Sequence, residues 1–396
     1  MSSLRSSFGG YRDLPRLVGY PHLIVSFLGR LPIPMVIIGV LTLVVAETGS
    51  VAIAAYCSAS LAIANGIGNV VIGRLTDQYG QRKPLLAFAP LNVTSMVCLL
   101  AVAPSNPPTW QLMFISAAIG MTTSPIGSLS RVRWFPIASP RQLLAAMSWE
   151  TVNDELIFVL GPAAVGILAA TVSPGAPIVV AAGLVATCVI PFALSRHARG
   201  PADDGRSVPI ANVFRRVRAP FTAMLFMGMF FGAMQTTVTA FAESNGMPGL
   251  GGLIYSALGL SAAITALGAV AIPERLSFST QIVAAGVGIT LFASSCGLAS
   301  SGWALVGLLF VTGLFIGPTG VAIFTLAGRL APRGGDGLAN TVMVSANVLG
   351  VASASAVVGR FLETNVSFGF LAAGICGMGM ALVAALLGRR DERLIA

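Results

Sequence analysis

GRLTDQYGQRKP, residues Gly73 to Pro84, is a compact polar block between two long apolar runs. Gly73 and Gly80 permit close helix approach and a tight reversal. Asp77 stands where its carboxylate can cap the helix that follows, and Pro84 opens that helix. Arg82 and Lys83 hold the turn at the lipid headgroups. A short basic reversal of this kind joins two membrane-spanning helices, so the block predicts a span on either side of it.

Working outward, apolar runs of roughly 20 residues, the length that crosses the hydrocarbon core, recur with polar punctuation. They fall near 21–46, 50–73, 84–104, 109–131, 142–171 and 176–195, and again near 220–242, 249–271, 279–300, 303–328, 337–362 and 366–388. Twelve spans in two sets of six make an all-α integral membrane protein. Its parts are a leader over 1–20, a first six-helix bundle over 21–195, a linker over 196–219, a second bundle over 220–388 and a tail over 389–396. The linker, HARGPADDGRSVPIANVFRRVRA, is the longest polar stretch and mixes charges with helix breakers.

Composition agrees. Of 396 residues 55% are hydrophobic and 9% charged, and the mean hydropathy of +0.86 lies far from soluble domains. The 23 Lys and Arg outnumber the 14 Asp and Glu, but they cluster in short loops beside apolar runs, a pattern that orients spans and does not track phosphates. This argues against a nucleic-acid partner and places the N-terminus, the Gly73–Pro84 loop, the linker and the Arg389/Arg390/Arg393 tail in the cytoplasm. The opposite side carries Glu47, Glu243 and Glu363 at span ends, and only Arg30 and Arg360 break the pattern. Cys57, Cys98, Cys188, Cys296 and Cys376 sit in apolar runs without paired spacing, with only His22 and His197 to assist them, so neither a disulfide framework nor a metal site is expected. There is no phosphate-cradling loop for ATP. The N-terminus shows no small-residue cleavage pattern and reads as a retained leader.

Charges inside a bilayer are costly and face a cavity or a partner. The fifth run, MSWETVNDELIFVLGPAAVG, holds three. Glu150 and Asp154 are four apart and share a helix face, while Glu155 is turned by about 100° from Asp154. Asp154 lies about 18 Å into its span and Arg30 about 14 Å into the first, which makes a pair plausible. Arg30 with Asp154 or Glu155 is then either a coupling pair beside a cavity or a static pair joining two spans. Glu150, shallower, can reach Arg131 or Arg133 at the inner end of the fourth span, as a gate latch or an interfacial salt bridge. The second half has almost no buried charge. Its seventh span offers Phe226, Met227, Phe230, Phe231 and Met234 before Gln235, an adaptable apolar surface or plain packing. Asn340 and Asn347, seven apart on the eleventh span, face the cavity or bridge helices.

The spacing Gly73, Leu75, Asp77, Gly80, Arg82 resembles the loop signature between the second and third spans of major facilitator superfamily transporters. Gln78 and Gln81 stand where that family usually has basic residues, which weakens the charge relay attributed to the loop. Gly161–Pro162 with Gly166 resembles the fifth-span signature of the proton-coupled antiporters, a kink at which a partner helix approaches closely, although Ile157 and Val165 replace glycines of that pattern. Two echoes point to an internal repeat: Pro125-x-Gly127 against Pro318-x-Gly320, and the fifth-span ending at Gly166 against the eleventh at Gly359. The resemblance covers almost the whole chain. It implies two pseudo-symmetric six-helix bundles rocking about a central cavity, working as a monomer in a bacterial inner membrane among its lipids, with no cofactor. It further implies proton-coupled efflux of a small amphipathic molecule, protons discharging Asp154 or Glu155. A uniporter or proton symporter importing a nutrient keeps the same fold. A lipid-modifying enzyme has no nucleophile and base constellation to support it.

Overall fold

Within hydrocarbon every backbone polar group must be satisfied by its own segment, so long apolar runs fold as helices. The computed structural model describes residues 2–105, 107–200, 208–247, 250–273, 275–362 and 366–388. Glu363, residues 201–207 of the linker, and the tail with Arg389, Arg390 and Arg393 lie outside these. Twelve helices among the described residues are long and apolar enough to cross a membrane. Helix α1 (Ser2–Val18) precedes the first span, which is split into α2 (Tyr20–Leu28) and α3 (Pro32–Thr48). The second and third spans are α4 (Val51–Tyr79) and α5 (Arg82–Val102), and the fourth is split into α6 (Thr109–Thr122) and α7 (Ile126–Trp134). The fifth is α8 (Pro140–Thr171), and the sixth joins α9 (Ala176–Leu184) to α10 (Ile190–Leu194) through one π-helical turn, Val185–Val189. In the second half the spans are α11 (Ile210–Ser244), α12 (Gly251–Gly268), α13 (Phe278–Ser295), α14 (Gly302–Leu330), α15 (Asp336–Leu362) and α16 (Val366–Val383), the last running into a π-helical turn, Ala384–Gly388.

The seventh span starts earlier than the sequence suggested. Residues 210–219 are helical, with a kink at Val217 (φ −97°, ψ 16°). Val213 and Val217 are buried on one side while Arg215 and Arg216 face out, so an amphipathic turn hides inside a stretch that reads as polar.

Three apolar cores organise the bundle. One lies in the first half around Val40, Leu61, Leu99 and Ile178, and one in the second around Phe230, Leu258, Ile289 and Met343. The third joins the halves, with Leu14, Trp134 and Met147 meeting Ala263, Ala266 and Val321. The halves echo each other in packing: Gly120 of α6 lies against the Leu61 carbonyl of α4, and Gly313 and Gly317 of α14 lie against the carbonyls of Leu258 and Ala262 of α12. Small residues at such crossings let backbones touch. The echo fails at the prolines. Pro125 caps a broken fourth span, whereas Pro318 sits inside a continuous tenth. Gly166 and Gly359 have no atom near enough to meet an added Cβ, so Gly166 does not make the close helix contact expected of it.

Candidate functional site

The Gly73–Pro84 block turns at one end of the bundle, here the loop face, where Gly80 takes the left-handed φ of 76° that makes the reversal. Arg82 and Lys83 are exposed there. Gly73 faces the second half, leaving room for the Thr341 hydroxyl of α15. Asp77 corrects an expectation. It lies in the last turn of α4 and caps no helix of its own half; its carboxylate accepts the backbone N–H groups of Gly337 at 2.9 Å and Leu338 at 2.8 Å. Those are orphan donors of the first turn of α15, which an acidic side chain satisfies while opposing the positive helix end. The helix that follows the loop opens at Gln81 without a side-chain cap. The linker reaches this point: the main-chain oxygen of Arg199 accepts the Gln81 N–H at 2.9 Å, and its guanidinium pairs with Asp336 at the start of α15.

A buried ion-pair cluster lies deeper. Arg30 stands at the break between α2 and α3, and its Nη1 donates to Asp154 Oδ1 at 2.9 Å and to the Glu150 carbonyl at 3.1 Å. Its Nη2 pairs with the Glu150 carboxylate. Glu150 also accepts from Ser130 Oγ and Trp134 Nε1, each at 2.7 Å. Asp154 bridges from Arg30 to Arg131, and the Arg131 guanidinium stacks 3.7 Å above the Phe324 ring of α14 in the other half. Two arginines thus balance two carboxylates. The side chains of Arg30, Glu150 and Arg131 are no more than 1% exposed, Asp154 is 30% exposed, and Asp154 is therefore where water or a proton can reach the cluster.

Several expected partners differ. Glu150 meets Arg30, not Arg131 or Arg133, because the face it shares with Asp154 turns toward the first span. Arg133 lies about 200° around the helix from Arg131 and joins no carboxylate among the described residues. Its Nε donates to Gln81 Oε1 at 2.7 Å, its Nη2 to the Phe192 carbonyl at 2.9 Å, and it stacks 3.5 Å over the Phe192 ring. Both arginines, read from sequence at the inner end of the fourth span, are buried. Glu155 makes no ion pair among the described residues and faces α12 at Gly259. Gly161 packs on Pro34 of α3 as a close approach, while Pro162 lies inside an unbroken α8.

The residues expected to line a substrate cavity do not converge. Phe230 and Met234 belong to the second-half core, Phe226 covers Gly379 of α16, and Gln235 is exposed. Asn347 donates weakly to Met224 Sδ at 3.7 Å. Asn340 is fully buried, and its main-chain oxygen accepts Ser128 Oγ of α7 at 3.3 Å. The cause is that Gly228 and Gly232 bring α11 onto α15, closing that face. Sequence reasoning missed Trp134, Ser130 and Ser26, which carry no charge to draw notice. It also missed that α1 straps the loop face, with the Tyr11 hydroxyl donating to the Leu267 carbonyl at 2.7 Å. Burial pushes the Tyr11 phenol up to about 12, so it remains a donor at neutral pH. Burial, with Arg196 and Arg133 nearby, lowers His197.

Contacts between the halves run from mid-depth, at Ser345 with the Gly66 carbonyl (3.0 Å), to the loop face, where Phe135 covers Gly328. Two six-helix bundles closed against each other at one end, around a buried charge cluster, are the architecture of a secondary transporter. The sequence profile of the Major Facilitator Superfamily matches residues 23–355, and the chain belongs to that family. It is a transporter and not an enzyme. It is 24% identical over 397 residues to the uncharacterized MFS-type transporter y4rN of Sinorhizobium fredii, covering 95% of this chain and 96% of that one. Solved structures share the fold: the human organic anion transporter MFSD10 (TM-score 0.73, 14% identity, 92% of this chain and 99% of that chain) and a bacterial homologue of the iron transporter ferroportin in an outward-facing state (0.72, 14%, 93% and 99%). The E. coli fucose:proton symporter is also similar (0.68, 12%, 92% and 97%).

Proposed function

We propose that the protein exports small amphipathic molecules in exchange for protons, with the loop face in the cytoplasm of a bacterial inner membrane. The observation that carries this reading is Asp154, the one partly exposed member of a charge-balanced cluster tied to both halves through Arg131 and Phe324. A proton on Asp154 removes the negative charge that Arg30 and Arg131 share, and so weakens the contact of the fourth span with α14. Glu155, on the neighbouring face and opposite α12, is the second protonation site. The basic loops support the orientation, and the Gly161–Pro162 step supports exchange over import.

The test is transport in proteoliposomes under an imposed pH gradient, with a panel of lipophilic dyes. Gradient-driven flux should be lost in Asp154→Asn or Glu155→Gln with dye binding retained. Flux indifferent to the gradient and to both substitutions would sink proton coupling, and accumulation down the opposite gradient would turn the reading to import.

A further inference from the structure

Three of the six spans in the first half are interrupted, and the interruptions meet. The first span breaks at 29–31, the fourth at 123–125, and the sixth widens at Val185–Val189. Gly29, Thr123, Ser124, Val185 and Val189 line one small cavity at that level. The helical ladder is thinned there. The N–H groups of Arg30, Leu31 and Thr123 reach back only three residues, at 3.1–3.2 Å, and Pro32, Pro34 and Pro125 have no N–H to give. Proline, π turns and cavities are the places where packed helices bend.

On the loop-face side of these breaks the three half-helices are pinned to one another. Ser26 of α2 donates to Ser130 of α7 at 3.0 Å. The His22 ring of α2 stacks on Phe192 of α10 at 5.5 Å, and Arg133 of α7 stacks on the same ring. Neither His22 nitrogen has a hydrogen bond among the described residues, so ring contacts hold it, this stack and an edge contact with His197 at 5.6 Å. This group bears Ser128 and Arg131, which touch α15 and α14 across the bundle. The carboxylates that bind its arginines stand on α8, which has no break. In the second half α11 and α14 cross mid-depth as single helices, and its irregular turns, the Val217 kink near the start of α11 and the π turn Ala384–Gly388 after α16, lie at span ends.

We infer that α2, α7 and α10 form a gate that swings as one body about these three breaks, held shut by Arg30 and Arg131 on Glu150 and Asp154 and by Gln81 on α7. The first half then does not rock as a rigid unit. The second half does.

Double electron–electron resonance in nanodiscs tests this. Four of the five cysteines are buried and Cys98 is exposed, so a Cys98→Ala background takes spin labels at Tyr20→Cys and Lys83→Cys, exposed on the gate and on the frame of the first half. A second pair, Leu276→Cys and Arg333→Cys, reports on the second half. Adding Glu150→Gln with Asp154→Asn should shift the Tyr20–Lys83 distance by about 5 Å, one helical turn, and leave the second pair unchanged. An unchanged Tyr20–Lys83 distance, or equal movement of both pairs, overturns the gate. Should the doubly substituted chain fail to fold, hydrogen–deuterium exchange on the unsubstituted protein decides. Peptides over 27–33, 121–127 and 184–190 should exchange together, roughly tenfold faster than 228–234 and 314–320, since a tenfold ratio needs only about 1.4 kcal/mol. Equal protection of the two sets overturns it.

Discussion

Arg30 is fully buried and its guanidinium serves two carboxylates. Removing it strands Glu150 as an uncompensated charge in a low-dielectric site, a loss of about 3–5 kcal/mol. Arg30→Ala should therefore lower the unfolding midpoint in detergent sharply. Glu155→Gln, which breaks no described ion pair, should cost under about 1 kcal/mol. If the two variants melt alike, the cluster contributes no more to stability than an isolated carboxylate. At this scale the sequence carried part of the site: the depth argument paired Arg30 with Asp154 or Glu155, and the structure places Asp154 there at 2.9 Å. It could not place Glu150, because which carboxylate turns toward which arginine depends on the rotation of α8 against α2 and α7, and helix rotation is set by neighbouring helices.

Asp77 acts between elements. Its carboxylate satisfies two backbone donors at the start of α15, and losing such a cap costs about 0.5–2 kcal/mol. Because the bond exists only while the loop face is closed, Asp77→Ala should shift the balance toward an open loop face. Maleimide labelling of Ser128→Cys, buried when closed, should then accelerate by roughly 2–30-fold; an unchanged rate would mean that the cap does not contribute to closure. Gly73→Val makes the same point sterically, since an added Cβ would meet the Thr341 hydroxyl, and it should accelerate labelling too. Element number and order were legible from apolar run length alone. The breaks at 29–31 and 123–125 were not, although Pro32, Pro34 and Pro125 were in plain sight, because the continuous tenth span shows that a membrane helix can absorb Pro318 without breaking.

For the whole molecule, closure of the loop face is shared by α1, the Gly73–Pro84 loop, the linker and the fourth, fifth, tenth and eleventh spans. Ser128 and Asn340 face each other across it. A disulfide between Ser128→Cys and Asn340→Cys should hold that face shut, abolishing flux under oxidation and restoring it on reduction; flux that persists through a completed cross-link would show that the halves need not part there.

The sequence by itself determined that the protein is an all-α membrane protein of twelve spans and which charged residues lie within them. Those follow from local physics, since a run of apolar residues and a buried charge have the same cost wherever they pack. Only the tertiary structure decided that Asp77 caps a helix more than 250 residues away, that linker Arg199 pairs with Asp336 at the start of that helix, and that the Phe and Met face of the seventh span is core. These depend on which helix faces lie together across the two halves, and a pattern along one chain does not specify that.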